Sequence, residues 1–123
     1  MILDSNAISD WWQGRPAFLA VLEKAAAVYL PVPVLGEFRF GILKSNRRSQ
    51  MEVWFEEAKR LTSILTADAQ TAECYAQIRH TLETQGRRIP MNDLWIAAIA
   101  VEHGLALYTR DAHFKAVPGL ARL

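Results

Sequence analysis

Apolar residues arrive along this chain in short bursts, and between the bursts they recur at helical spacing. The first burst, Ile2-Leu3, ends at Asp4. Ser5 and Asn6 are good N-cap residues and predict a short helix through Trp12. Gly14-Arg15-Pro16 breaks it, and Phe18, Val21 and Leu22 place a second helix over Ala17 to Ala27. Val28-Tyr29-Leu30-Pro31-Val32 reads as a strand apolar on both faces, which Pro31 pushes towards a sheet edge. Pro33 opens a helix through Leu43, since a first-turn residue needs no backbone donor.

Met51, Trp54, Phe55, Ala58 and Leu61 mark a helix over Arg47 to Leu61. Ser63-Ile64-Leu65 is a weak third strand. A helix capped by Asp68 then runs to Gln85, where Gly86 ends it. Pro90 and Asn92 introduce a helix over Asp93 to His103, stopped by Gly104. Ala106-Leu107-Tyr108-Thr109 is a fourth strand, and Leu120 to Leu123 is a candidate fifth. Strands alternating with helices predict an α/β fold, a parallel four- to five-stranded sheet covered on both faces. Neither repeat nor linker divides the chain, so residues 1–123 read as one domain.

Composition adds exclusions. At 51% apolar and 22% charged the chain is far from disorder. Fourteen Lys and Arg against thirteen Asp and Glu give +1, so a nucleic-acid partner must be held by local basic patches. Cys74 is the only cysteine, which excludes an internal disulfide and a cysteine-based metal site and suits a reducing compartment. Its helical setting beside Tyr75 and Ala76 favours a buried thiol. The start Met1-Ile2-Leu3-Asp4 carries no signal-peptide pattern. The longest apolar run, Ala25 to Gly36, holds two prolines and falls short of the ~20 residues a membrane span needs. A cytoplasmic protein without membrane contact is expected.

In open α/β sheets ligands bind beyond the carboxyl ends of the strands. Asp4 ends the first strand, Glu37 lies in the first turns after the second, and Asp111 follows the fourth. Asp93 opens the helix that leads into the fourth strand, and a helix preceding a strand starts at that strand's carboxyl edge. All four acids therefore belong on one rim. Gathered there they repel, unless a cation offsets them. Oxygen donors without His or Cys spacing favour Mg²⁺ or Mn²⁺ over Zn²⁺. Beside a phosphodiester such an ion polarises the phosphoryl oxygen and lowers the pKa of bound water.

Each acid also has a plain structural reading. Asp4 can cap a helix, although Ser5 and Asn6 already can; Asp93 can complement a helix dipole. Glu37 can pair with Lys44 or Arg39, and Asp111 can serve a turn. The case rests on their convergence.

Four segments carry a resemblance: Leu3-Asp4-Ser5-Asn6, Gly36-Glu37-Phe38-Arg39-Phe40-Gly41, Pro90-Met91-Asn92-Asp93-Leu94-Trp95-Ile96-Ala97-Ala98 and Thr109-Arg110-Asp111-Ala112-His113-Phe114. In order and spacing they resemble the PIN domain, and within it the VapC toxins of bacterial toxin–antitoxin pairs. The resemblance implies a three-layer α/β/α domain, a Mg²⁺-dependent endoribonuclease with Mn²⁺ able to substitute, a homodimer, and inhibition by a cognate antitoxin. It further implies Asp4 and Asp93 as direct metal ligands. Glu37 and Asp111 would complete the site or act through metal-bound water. Ser5, Asn6 and Thr109 match supporting positions, Ser5 standing where Thr is commoner.

Among the basic residues Arg39, Lys44 and Arg110 are candidate substrate contacts, with Arg47, Arg48, Arg87 and Arg88 as further phosphate-binding candidates. Trp11 and Trp12 could stack bases, but core or dimer packing suits them better. Apolar positions such as Met51, Trp54 and Phe55 exceed what one small core obviously uses, which also argues for a homodimer. His113 lies near the acids but is not expected to be a ligand.

Three rivals stay open. An aspartyl phosphotransfer enzyme would suit Asp4, but Asn6 stands where a second Asp is needed. A non-enzymatic α/β binding module is weakened by the absence of a phosphate-cradling glycine loop. An RNA-processing nuclease without an antitoxin fits the sequence equally well.

Overall fold

The computed structural model describes residues 1–123. Four short strands, β1 (Ile2–Leu3), β2 (Tyr29–Pro31), β3 (Ser63–Leu65) and β4 (Leu107–Tyr108), form one parallel sheet in the order β3-β2-β1-β4. Six helices connect them: α1 (Ser5–Trp12), α2 (Pro16–Lys24), α3 (Val32–Lys44), α4 (Arg48–Arg60), α5 (Ala69–Thr84) and α6 (Met91–His103). A 3-10 helix, Ala112–Ala116, follows β4.

Successive strand residues point to opposite faces. Ile2 and Leu3 are adjacent and both fully buried, so helices must cover both faces of the sheet. This is the α/β layering that the pattern predicts. The core runs from Ile2, Leu3 and Leu30 in the sheet through Ile8, Phe18, Val34, Phe55 and Leu82 to a solidly buried stretch of α6, Ile96 to Ala100. That stretch is apolar on all sides, which is why its sequence carries little amphipathic signal. Asp68 and Thr71 cap α5 reciprocally, and Gly104 ends α6 in the left-handed region at φ 61°.

Several details differ from the sequence reading. The second helix stops at Lys24, short of Ala27, because Ala25–Ala27 is drawn out towards the sheet: the Met1 ammonium donates to Ala27 O at 2.7 Å. β2 is an interior strand and not an edge strand. Pro31 is tolerated there because it is the last strand residue. By the strand's period of two its missing N–H faces β1, and β1 pairs with β2 only at Ile2↔Tyr29. The candidate fifth strand is a single bridge, Leu107↔Arg122, flanked by Leu107 N to Ala121 O and Leu123 N to Leu107 O, both 2.9 Å.

The last helix begins at Met91, two residues before Asp93. Met51 and Phe55 are buried in this chain's own core and Trp54 is half-buried against it, so that stripe is no surplus awaiting a partner. Cys74 is partly buried against the core. No helix is long and apolar enough to cross a membrane.

Candidate active site

Asp4 sits where β1 gives way to α1, and its carboxylate accepts from Ala7 N at 2.8 Å. The cap is therefore Asp4 itself, and Ser5 and Asn6, the expected caps, are the first helical residues. The side chain lies almost wholly out of water. Burial pushes its pKa up, the Thr109 hydroxyl and the Ala7 N–H hold it back, and the charge of Asp111 pushes it up again.

Glu37 projects from α3 and is held from two sides. The Ser5 hydroxyl donates to Oε2 and the Asn92 side-chain amide to Oε1. The ion pairs that would have given Glu37 a bland explanation go elsewhere. Arg39 reaches α4, to Glu52 at 2.9 Å and Glu56 at 3.3 Å, and Lys44 lies over the Phe40 ring at 4.5 Å. Ser5 and Asn92 are neutral donors, so they orient the Glu37 carboxylate without pairing it with a cation.

Asp93 occupies the first turn of α6, and Asp111 caps the 3-10 helix by accepting from His113 N at 2.9 Å. His113 Nδ1 is 3.1 Å from Asp111 Oδ1 and 3.7 Å from Asp93 Oδ2. One donor atom from each of these residues falls within 4.8 Å of the others. Burial, and then the charges of Asp111, Glu37 and Asp4, push Asp93 up to about 6, with His113 acting in the opposite sense. That repulsion puts the four acids within electrostatic reach of one another. The tightest grouping is Asp93, Asp111 and His113, with Asp4 and Glu37 around it.

Thr109 links two of the acids: its hydroxyl accepts from Asp111 N at 2.9 Å and lies beside Asp4. Arg110, a candidate phosphate contact, instead grips Asp10 of α1 with both ends of its guanidinium. Nε donates to Oδ2 at 2.8 Å and Nη2 to Oδ1 at 2.7 Å. Asn6 lines a cleft of about 410 Å³ with Ser5, Ser9, Trp12 and Glu37. Trp11 and Trp12 pack edge-on against Trp54, and Arg47 covers the Trp12 ring at 5.0 Å, so neither indole is a bare stacking surface.

Sequence reasoning gave no site role to Asn92 or Asp10, and it placed His113 near the acids without expecting a ligand. Asn92 could have been suspected, because it stands one residue before Asp93. His113 lies two residues after Asp111, yet nothing local distinguishes it from a solvated histidine. Asp10 gave no signal, being one polar residue in a short helix.

The donor set fits a hard divalent cation. Carboxylate oxygens dominate it, one imidazole is at hand, and burial followed by uncompensated negative charge raises Asp93. Asp93 and Asp111 are the residues best placed to hold such an ion, with His113 adjacent.

Comparison with known proteins agrees with this geometry. The sequence matches the PIN domain over residues 1–120. It is 32% identical to Ribonuclease VapC5 of Mycobacterium tuberculosis, covering 98% of this chain and 89% of that protein. The fold superimposes on VapBC2 from Rickettsia felis, solved bound to a DNA fragment from its promoter, with a TM-score of 0.91 at 26% identity, covering 99% of this chain and 96% of that one. FitAcB from Neisseria gonorrhoeae gives a TM-score of 0.84 at 32% identity, covering 99% and 95%. With a matching sequence, a parallel sheet in the same architecture and acids gathered beyond its carboxyl edge, the chain belongs to the PIN-domain family, among its VapC members.

Proposed function

We propose that this chain is a Mg²⁺-dependent endoribonuclease, with Mn²⁺ able to substitute, that hydrolyses RNA phosphodiester bonds as the toxin of a VapBC-type pair. The observation that carries this reading is the gathering of Asp4, Glu37, Asp93 and Asp111, with Asp93 raised to about 6 by burial and then by its acidic neighbours. A site built only for stability would not keep charges that repel.

A bound divalent ion supplies a Lewis acid for the phosphoryl oxygen and a more acidic water. The chain's own residues do the rest. Asp93 and Asp111 hold the ion, with Asp4 a further direct ligand or a charge behind them. Glu37, fixed between Ser5 and Asn92, is oriented to accept a proton from an attacking water. Lys44, Arg87 and Arg88 offer positive charge for the RNA backbone. Arg39 and Arg110 are engaged with acids of this chain and contribute less to that task.

Solved relatives described as VapBC and FitAB assemblies support a cognate antitoxin as partner. Association into a homodimer is supported by an apolar face of α3 that the monomer leaves open. Val32, Gly36, Phe40 and Leu43 lie there at helical spacing, with Phe40 60% and Leu43 57% exposed. A cytoplasmic location fits the reduced Cys74. The direct test is incubation of purified protein with total cellular RNA, with Mg²⁺ or with EDTA. Cleavage that EDTA does not affect, or no cleavage at any Mg²⁺ or Mn²⁺ concentration, overturns the reading.

A further inference from the structure

Asp10 lies on α1, six residues after Asp4, which caps that helix, and its side chain is only 3% exposed. A buried carboxylate must be paired or it destabilises the fold. Two guanidinium groups meet this one: Arg110 with a two-point grip at 2.7 and 2.8 Å, and Arg15 with Nε at 3.1 Å. Arg110 stands between Thr109, which touches two of the site acids, and Asp111, which is one of them.

The position of this contact matters because the sheet has already ended there. The register of β1 with β4 closes at Leu3↔Tyr108, and the next bond, Asp4 N to Tyr108 O, has stretched to 3.4 Å. Beyond that point no backbone bond ties the segment Thr109–Asp111 to α1. Apart from the single contact of the Thr109 hydroxyl with Asp4, the next anchor is Phe114, buried in the core. A planar, two-point contact fixes direction as well as distance, which a single point charge does not.

We propose that Asp10 is a positioning residue that acts through Arg110. It holds the Thr109–Asp111 segment against α1, so that Asp111 stands where it shares a divalent ion with Asp93. The inference rests on the metal-dependent reading above. On this view Arg110 serves the site as a strut between two elements of the chain. Arg15 merely helps to neutralise Asp10, because it belongs to no segment that bears a site acid.

The test is Mn²⁺ affinity, measured from the electron-spin-resonance signal of free Mn²⁺, with no RNA present. Asp10→Asn and Arg110→Lys should each weaken Mn²⁺ binding by at least about tenfold, the size expected when a group that orients a metal ligand is lost. Arg15→Gln should stay within about twofold of wild type, since the strut remains. Should Asp10→Asn fail to fold, the double variant Asp10→Leu with Arg110→Met replaces the buried pair by apolar side chains and leaves no orphaned charge. It too should lose at least about tenfold in affinity. Wild-type affinity in folded Arg110→Lys or in the double variant overturns the strut, and so does an equal loss in Arg15→Gln. Wild-type protein that takes up no Mn²⁺ overturns the metal site and the strut together. Wild-type uptake with unaltered variants overturns the strut alone.

Discussion

The Asn92 side chain donates to Glu37 across fifty-five residues of sequence, tying the start of α6 to α3 at the point where the acids meet. The bond decides the direction of a carboxylate that no cation neutralises. Removing it leaves Glu37 with Ser5 as its one remaining side-chain partner. Asn92→Ala is expected to lower RNA cleavage by about tenfold or more, as loss of an orienting group does. Because Asn92 is exposed, the melting temperature should hardly move. A cleavage assay and a melting curve on the same preparation check both halves.

Asp93→Asn keeps shape and removes one charge from a site that has too many. In metal-free buffer at neutral pH the variant should be more stable than wild type. Partial exposure screens the repulsion, so the gain is on the order of 1 kcal/mol. RNA cleavage with Mg²⁺ should fall by more than about a hundredfold, exceeding the loss seen when only a supporting group is removed. If Asp93 served solely the helix dipole, stability would instead fall by about 0.3–1 kcal/mol and cleavage would persist.

The same charge sets a pH dependence. Burial, and then the neighbouring acids, push Asp93 up to about 6 in the folded chain from an ordinary 3.8. Between those values the folded form binds a proton that the unfolded form has released. Its contribution to stability is therefore largest below about 4 and is lost as pH rises through about 6. Burial raises Asp4 as well, which acts in the same sense. Without metal, the protein should melt at a higher temperature at pH 5 than at pH 7.5, and the difference should shrink in Asp93→Asn.

Added metal should reverse that trend. Mn²⁺ binds the ionised acids, so its stabilising effect should be large at pH 7.5 and should fade as pH drops through about 6. At about a hundred times its dissociation constant the ion should stabilise the native state by about 2.7 kcal/mol. Melting curves over a Mn²⁺ series with and without EDTA measure this, and flat curves at both pH values would contradict the site.

The apolar face of α3 predicts the assembly state. Phe40→Glu combined with Leu43→Glu places two charges where apolar contact is expected, so light scattering at micromolar concentration should report a monomer against a wild-type dimer. Neither residue is buried in the monomer, so its folding should be unaffected.

Much of this was legible in the sequence, because its causes are local. Hydrophobic periodicity, Pro33 at a helix start, the Asp68 cap and Gly104 at a helix end depend on neighbours within a turn or two, and they marked the elements to within a few residues. Strand–helix alternation implied a parallel sheet, and that topology alone sent Asp4, Glu37, Asp93 and Asp111 to one rim.

What the sequence could not convey was pairing at a distance. The interior place of β2 depends on which strands flank it, and Pro31 by itself argued for an edge. The fate of Met51 and Phe55 depends on the core they meet, and a spacing pattern cannot tell a buried face from a docking face. The partners of Glu37 and the grip of Arg110 on Asp10, one hundred residues away, were decided by the fold alone. Periodicity reports which side of an element is apolar, and only the packed chain determines which charge finds which partner.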